Sequence, residues 1–433
     1  MKKTVRAIVL GVVLAGVAVA ADWPQFCGPT RNNISTETGL ARSWPAEGPE
    51  ELWAVDVTTG YAGPAIRDGK VYLMDYEDGV SSLRCLSFDS GKELWRVKFD
   101  DPGELKNKTY EGTRGTPTVT EDSLYAVTLH GTVFRVDLKS QKMVWSKNMQ
   151  RDYGKISEAW GFAQSPLLVG DLMIIAPLTE SHGVMAMDPK SGEVVWMNND
   201  YFGEGYVSPV LLQIDGEDQI VVVAGGEKAP KRKPKDGSAE AKPLRPTVVF
   251  ALSPMDGKTL WNYKGWSCSK PIPQPVQVGE NKLFITSGYR ALSALIQIKG
   301  SEAEELWQTE DVASWIEQPI FAKDHLFVGG TTKKNKNGLI CINLNGDVQW
   351  DTNQIDDAPV FEHLNMIEAD GMLIGLSGNS GRLHLIEVNP EKFNELASAK
   401  VVKEKDKSWA PIALSNGKLL VRDQARMKCL NLK

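Results

Sequence analysis

Tyr61, Arg114, Glu158, Trp160, Tyr206, Lys270, Glu317, His363 and Trp409 share one feature: each stands just ahead of a short apolar run that reads as a β-strand. Arg290 and Arg422 occupy a second set of loops in the same scheme. If the runs converge on an axis, these side chains form a rim of rings and mixed charges, which suits a polar ligand or an extended peptide. Covalent chemistry has no such footing. His130, His182, His325, His363 and His384 form no i, i+4 pair and have no cysteine nearby, so no metal site is expected. The sequence has no Gly-x-Ser-x-Gly elbow, phosphate-binding glycine loop or carboxylate dyad, so no catalytic residue is expected either.

The elements that must carry this rim are repeats. Units of about fifty residues open on a proline, run through three short apolar strands and end on a tryptophan. The opening prolines are Pro64, Pro117, Pro166, Pro209, Pro275, Pro319 and Pro411; the closing tryptophans are Trp53, Trp95, Trp145, Trp196, Trp261, Trp307 and Trp350. A degenerate copy without a final tryptophan runs through Ile367, Leu373 and Ile374 to Leu385 and Glu387. Runs such as Lys70 to Met74 and Ile220 to Ala224 have strand length and no helical period. A tandem of ~45-residue four-strand units is the signature of a β-propeller.

The chain stops three strands into its last unit, and Glu51 to Val57, around Trp53, can supply the fourth. This predicts an all-β, eight-bladed propeller of four-stranded antiparallel blades. Its eighth blade is residues 409 to 433 plus the N-terminal strand, which shuts the ring and removes open edges. A proline ahead of each innermost strand costs no ladder bond. Each closing tryptophan is expected to lie between neighbouring blades, worth about 4 to 6 kcal/mol gross from burial. In such a meander, interblade links and second-to-third strand loops share a face. Their loops are long and varied (98–114, 147–163, 262–272, 308–317, 176–183, 225–247), whereas turns such as Arg67-Asp-Gly69 on the opposite face are terse. Long loops are where binding is usually placed.

Lys2, Lys3 and Arg6 ahead of the apolar run from Ala7 to Ala20 and the small residues Ala18, Ala20 and Ala21 read as a signal peptide over 1–21. Residues 22–433 then form a single propeller domain. Cleavage removes three positive charges from a net charge of −6, leaving an acidic exported protein that gives no hint of a nucleic-acid partner. The segment 227–246, with seven Lys/Arg and four prolines, reads as a solvated flexible insertion in blade 4. Cys85, Cys341 and Cys429 fill equivalent small-residue slots about one sheet spacing apart, too far for disulfides. Cys27 and Cys268 lie outside the slot, and a bridge between them is open.

The repeat Leu86-Ser-Phe-Asp-Ser-Gly-Lys-Glu-Leu-Trp95, with its relatives ending in Trp196 and Trp261, resembles the tryptophan-docking repeat of pyrroloquinoline quinone (PQQ)-type propellers. The leader Asp22-Trp23-Pro24-Gln25-Phe26-Cys27-Gly28-Pro29-Thr30-Arg31 and the ending Arg422-Asp423-Gln424 are similar to an exported, PQQ-like or BamB-like subgroup. The resemblance implies one of two functions: a quinoprotein dehydrogenase, or a non-catalytic propeller that helps assemble outer-membrane proteins. The chain has no adjacent cysteines to clamp a quinone, no Cys-x-x-Cys-His for haem, and no calcium motif that maps onto a numbered position. It also lacks the lipid-anchoring cysteine usual in the assembly propeller. The expectation is an exported, periplasmic or secreted, monomeric scaffold that binds a protein or polymer partner of the cell envelope through its long-loop face, without cofactor. The alternative is a dehydrogenase of alcohols or sugars that uses PQQ and calcium.

Overall fold

The computed structural model describes residues 22–105, 107, 111–156, 159–227, 244–288, 291–330, 337–403 and 407–433. The expected signal peptide and most of the 227–246 insertion therefore lie outside the described residues, as do Glu158 and Arg290. Eight four-stranded antiparallel sheets follow one another along the chain. Blades 1 to 7 span 65–100, 118–148, 167–198, 210–263, 276–309, 320–351 and 364–400. Blade 8 combines three strands within 413–431 with the strand Glu51–Asp56. In blade 1, Lys70–Glu77 and Val80–Ser87 are buried almost throughout, whereas the outer strand Glu93–Asp100 alternates between exposed and half-buried. Strands sandwiched between neighbouring sheets need apolar side chains on both faces, and the outermost strand does not.

Ring closure follows the predicted route. Glu51–Asp56 pairs antiparallel with Arg426–Asn431, with Trp53 opposite Cys429. Six of the seven opening prolines stand immediately before the first strand of their blade, and Pro411 stands two residues before Ala413–Ser415.

Five of the seven closing tryptophans dock onto the next blade through an indole hydrogen bond. Trp53 Nε1 donates to Phe88 O at 2.8 Å, Trp145 to Pro189 O at 3.1 Å, Trp196 to Pro254 O at 3.1 Å, Trp307 to Leu344 O at 2.9 Å and Trp350 to Asn389 O at 2.9 Å. Each acceptor lies in the turn before the neighbour's outer strand. In that turn Gly257, at φ +68°, leaves room for the Trp196 ring: a Cβ there would stand 2.3 Å from Cε3. Trp261 departs from the scheme and donates to Gln219 Oε1 within its own blade.

Blade 7, which lacks the tryptophan, holds its outer strand with a polar row. Ser377 Oγ is 3.1 Å from His384 Nε2, and His384 Nδ1 is 2.6 Å from Glu395 Oε1. A single helical turn, Met149–Tyr153, interrupts the link between blades 2 and 3, capped by the Asn148 side chain. All five cysteines are free and buried, so Cys27 and Cys268 are not bridged.

Candidate functional site

Each of the eight interblade links sends at least one side chain to the axis. In ring order these include Tyr61, Arg114, Trp160, Tyr206, Ile272, Trp315, His363 and Trp409, around a cavity of about 320 Å³. The repeat explains the convergence, because every link must return the chain from an outer edge to the innermost strand of the next blade. The few residues ahead of that strand are therefore brought close to the axis.

The walls are aromatic. Trp160 and Tyr206 meet at 5.7 Å between centroids on one side. On the other, Trp409 lies 5.8 Å from Tyr61 and 4.5 Å from His363, and Trp315 stacks on His363 at 5.5 Å. Hydrogen bonds lock the rings: Ala159 N donates to the Tyr206 hydroxyl at 2.8 Å, and Trp409 Nε1 donates to the side-chain Oδ1 of Asn379 at 3.0 Å. Cations sit on these faces. The Lys270 ammonium is 4.4 Å from the Trp160 centroid and 5.7 Å from that of Tyr206, the Arg114 guanidinium is 5.1 Å from Tyr61, and Lys407 is 5.9 Å from Trp409. Cations over ring faces gain from the ring quadrupole, and Arg114 also donates to Gly112 O at 2.5 Å. Burial lowers the Arg114 guanidinium to about 10.

Glu317 is placed otherwise than a rim residue. It is 1% exposed, behind the wall, and its carboxylate accepts from Ser314 Oγ, Trp315 N and Ile316 N at 3.1–3.2 Å. His363 Nδ1 adds a fourth bond at 2.8 Å. Burial pushes this carboxyl up, but the His363 bond, the charge it brings and the backbone N–H groups outweigh that and leave it below the usual glutamate range. The bond also holds His363 at φ +49°, a conformation uncommon for a non-glycine residue, and leaves Nε2 as the ring's remaining polar atom. Arg422 does not line the cavity. It is 1% exposed at the end of its strand and donates to Thr58 O at 2.6 Å and Asp423 O at 3.3 Å, because the link from the ring-closing strand runs over it.

The floor comes from a segment that carries no repeat. Residues 22–41 lace across the short-turn face. Trp23 exchanges backbone bonds with Ile66, Pro24 O accepts from Val119 N, Asn33 O accepts from Glu368 N, and Ala41 N donates to Leu432 O. Arg31, 4% exposed, donates to Pro209 O at 2.8 Å, to Ser165 O at 3.3 Å and to Pro166 O. Blades 1, 2, 3, 4, 7 and 8 are thus tied to one strap. Phe26, on that strap, lines the cavity from below, and Cys27 and Asn33 lie buried under it. The cavity is a dead-end funnel. Sequence reasoning missed Phe26, which has no repeat register to place it. It also missed Trp315, although this ring precedes Pro319 by four residues, within the two to six by which Trp409, Tyr61, Tyr206 and Trp160 precede their own prolines.

The funnel does not offer a calcium ion its ligands. Calcium takes six to eight oxygens at 2.3–2.6 Å. Among the described residues, the one carboxylate beside the wall, Glu317, is already committed to four donors, and the other charged groups there, Arg114, Lys270 and Lys407, are cations. Among the described residues, no group of three or more His, Cys, Asp or Glu could hold a metal. The Ser377–His384–Glu395 row has the order of a hydrolytic triad, but Ser377 and His384 are both 0% exposed inside blade 7 and no substrate reaches them.

The profile of the family described as outer membrane protein assembly factor BamB matches residues 39–238 and 245–430. A quinoprotein ethanol dehydrogenase from Pseudomonas putida is 27% identical over 175 residues, 38% of this chain and 26% of that protein. Outer membrane protein assembly factor BamB from Shewanella oneidensis is 20% identical over 186 residues, 42% of this chain and 43% of that protein. These matches span under half the length of either relative. The crystal structure of BamB from Moraxella catarrhalis superposes with a TM-score of 0.59 at 14% identity, covering 89% of this chain and 98% of that one.

Proposed function

This chain belongs to the family of outer membrane protein assembly factor BamB, and from that membership and the shape of the funnel we propose that it is a non-catalytic scaffold. In this reading it docks an extended segment of a protein or polymer partner on its long-loop face. The observation that carries the proposal is the funnel itself: eight links converge on a blind, ring-walled opening whose charged groups, among the described residues, are cations or already tied. That arrangement suits binding and orientation, and the described residues around it hold no acid–base pair beside a nucleophile. Relatives named as assembly factors support an envelope partner, and the basic, apolar start of the sequence supports export to the periplasm.

Capture of the envelope partner by the purified chain is expected to fall at least tenfold in Arg114→Ala and Trp160→Ala; capture insensitive to both counts against the rim. The second reading, a quinoprotein dehydrogenase, is favoured by the match to the Pseudomonas enzyme. Titration with PQQ and calcium, followed by dye reduction with alcohols and sugars, separates the two, and turnover would overturn the scaffold.

A further inference from the structure

Three properties of the funnel restrict what can enter it. First, it is blind. The strap beneath, with Phe26 at the floor and Cys27 and Asn33 sealed below, prevents a chain from threading through the ring, so an occupant must be an end or a protruding group. Second, it is small. About 320 Å³ lies at the lower limit of the ~300–1,000 Å³ range of ligand pockets and accommodates one large side chain with its backbone, not a hairpin. Third, its charge is opposite to that of the molecule. The chain carries −6 overall, yet Arg114 lines the cavity, Lys270 and Lys407 stand over the wall rings of Trp160 and Trp409 without lining it themselves, and the one carboxylate beside the wall among the described residues, Glu317, is buried behind His363. Lys270 in particular is held by two rings and by no carboxylate among the described residues.

A local cationic site on an acidic protein selects an anion by complementarity. Aromatic walls on opposite sides select a ring or another flat apolar group to fill the gap between them. On a polypeptide, both are presented together at a dead end only by the chain terminus, whose free carboxylate and last side chain sit on one residue. An internal acidic residue would bring two strands of backbone to the mouth, and the blind floor gives the second nowhere to continue except back out.

We propose that the funnel captures the C-terminal residue of the docked partner polypeptide, with an aromatic side chain seated between Trp160 and Trp409 and the terminal carboxylate bound by Lys270. The inference rests on the docking reading above and specifies which part of the partner is read. Capture of chain ends by a carboxylate contact plus one side-chain pocket is an economical recognition mode, because a terminus is unique in its chain.

The test uses the purified full chain and three fluorescent hexapeptides: one ending in phenylalanine with a free carboxylate, the same peptide as its C-terminal amide, and a free acid ending in alanine. Anisotropy titrations are expected to show the phenylalanine acid binding about tenfold tighter than the amide or the alanine acid, with the acid–amide gap shrinking as salt rises. Lys270→Gln, which keeps the aliphatic stem over Trp160, is expected to bring acid and amide together; Trp409→Ala is expected to bring the phenylalanine and alanine acids together. Near-UV circular dichroism reports whether each variant keeps its packing. If acid and amide bind equally, the terminal-carboxylate inference falls while docking stands. If no peptide binds, both fall. If PQQ without peptide binds more tightly than the phenylalanine acid and displaces it, the funnel is a small-molecule site and the inference is overturned.

Discussion

Replacing Trp53 by alanine tests the seam at which the two ends of the chain meet. Trp53 belongs to the N-terminal strand of blade 8, is 8% exposed, and donates to Phe88 O of blade 1 at 2.8 Å. Truncation removes a ring that buries ~150–250 Å², leaves a cavity and deprives a buried carbonyl of its donor, which together cost about 3 to 5 kcal/mol. With ~2.1 cal/mol/K per residue of unfolding entropy, a ring of about 410 residues (22–433) has roughly 0.9 kcal/mol/K at its midpoint, so the melting temperature should fall by about 3 to 6 °C. Differential scanning calorimetry measures this directly. Trp145→Ala, which removes the same contact from the middle of the ring, should lose a similar amount. Leu94→Ala, at a position 49% exposed, should be within about 1 °C of the parent. If Trp53→Ala melts with the parent while Trp145→Ala does not, the seam carries little load and closure by the N-terminal strand is not what holds the ring.

The docking turns make a paired prediction. Gly257→Ala should cost about 1 to 3 kcal/mol more than Gly279→Ala in urea unfolding. Both sites have φ near +68°, but only the first would press a Cβ into a tryptophan ring, whereas nothing lies within 4 Å of the second. Glu317 gives a pH dependence. Its folded carboxyl is held below the usual range, so its stabilisation is complete above the unfolded glutamate pKa and is lost as pH falls through the folded value. Melting temperature between about pH 5 and pH 3 should therefore drop more in the parent than in Glu317→Gln, and parallel curves would refute the four-donor account. The intact protein should gain no mass with a fluorophosphonate probe, because Ser377 is sealed in blade 7; labelling lost in Ser377→Ala would show that the row opens to substrate.

The ring was legible because its cues are local and repeated. A Gly-containing turn before a tryptophan, a proline before an inner strand and a missing fourth strand at the C-terminus leave little choice of topology. Blade 7 was the hard copy: without a tryptophan its outer strand had no marker, and the Ser377–His384–Glu395 row that replaces the docking contact leaves no periodic trace. At the axis, Tyr61, Trp160, Tyr206 and Trp409 could be placed because a residue just ahead of an inner strand must face inward. Whether it lines the wall, stands over it or lies behind it depends on neighbouring links, which periodicity does not encode. Glu317 lies behind because three backbone and side-chain donors from its own turn outbid solvent. Arg422 lies under the 57–64 link because the seam belongs to no repeat.

The strap sharpens the same distinction. Eight near-identical blades define an open ring with a pore along its axis, and nothing in the repeat closes that pore. Closure comes from residues 22–41, the only described stretch that reaches across several blades at once, and it depends on single contacts such as Arg31 to the carbonyls of blades 3 and 4. Its exit at Ala41 leads directly to the strand that completes blade 8. The segment that seals the floor and the segment that seals the ring are therefore continuous, so a leader that detaches should both open the funnel and loosen the seam. In the proposed docking reading, capture on the long-loop face depends in this way on the ordering of a segment on the opposite face. Arg31→Ala, which removes three hydrogen bonds to buried carbonyls without touching the funnel wall, should weaken ligand capture and lower the melting temperature together; a variant that loses one property and keeps the other would show that strap and seam are independent.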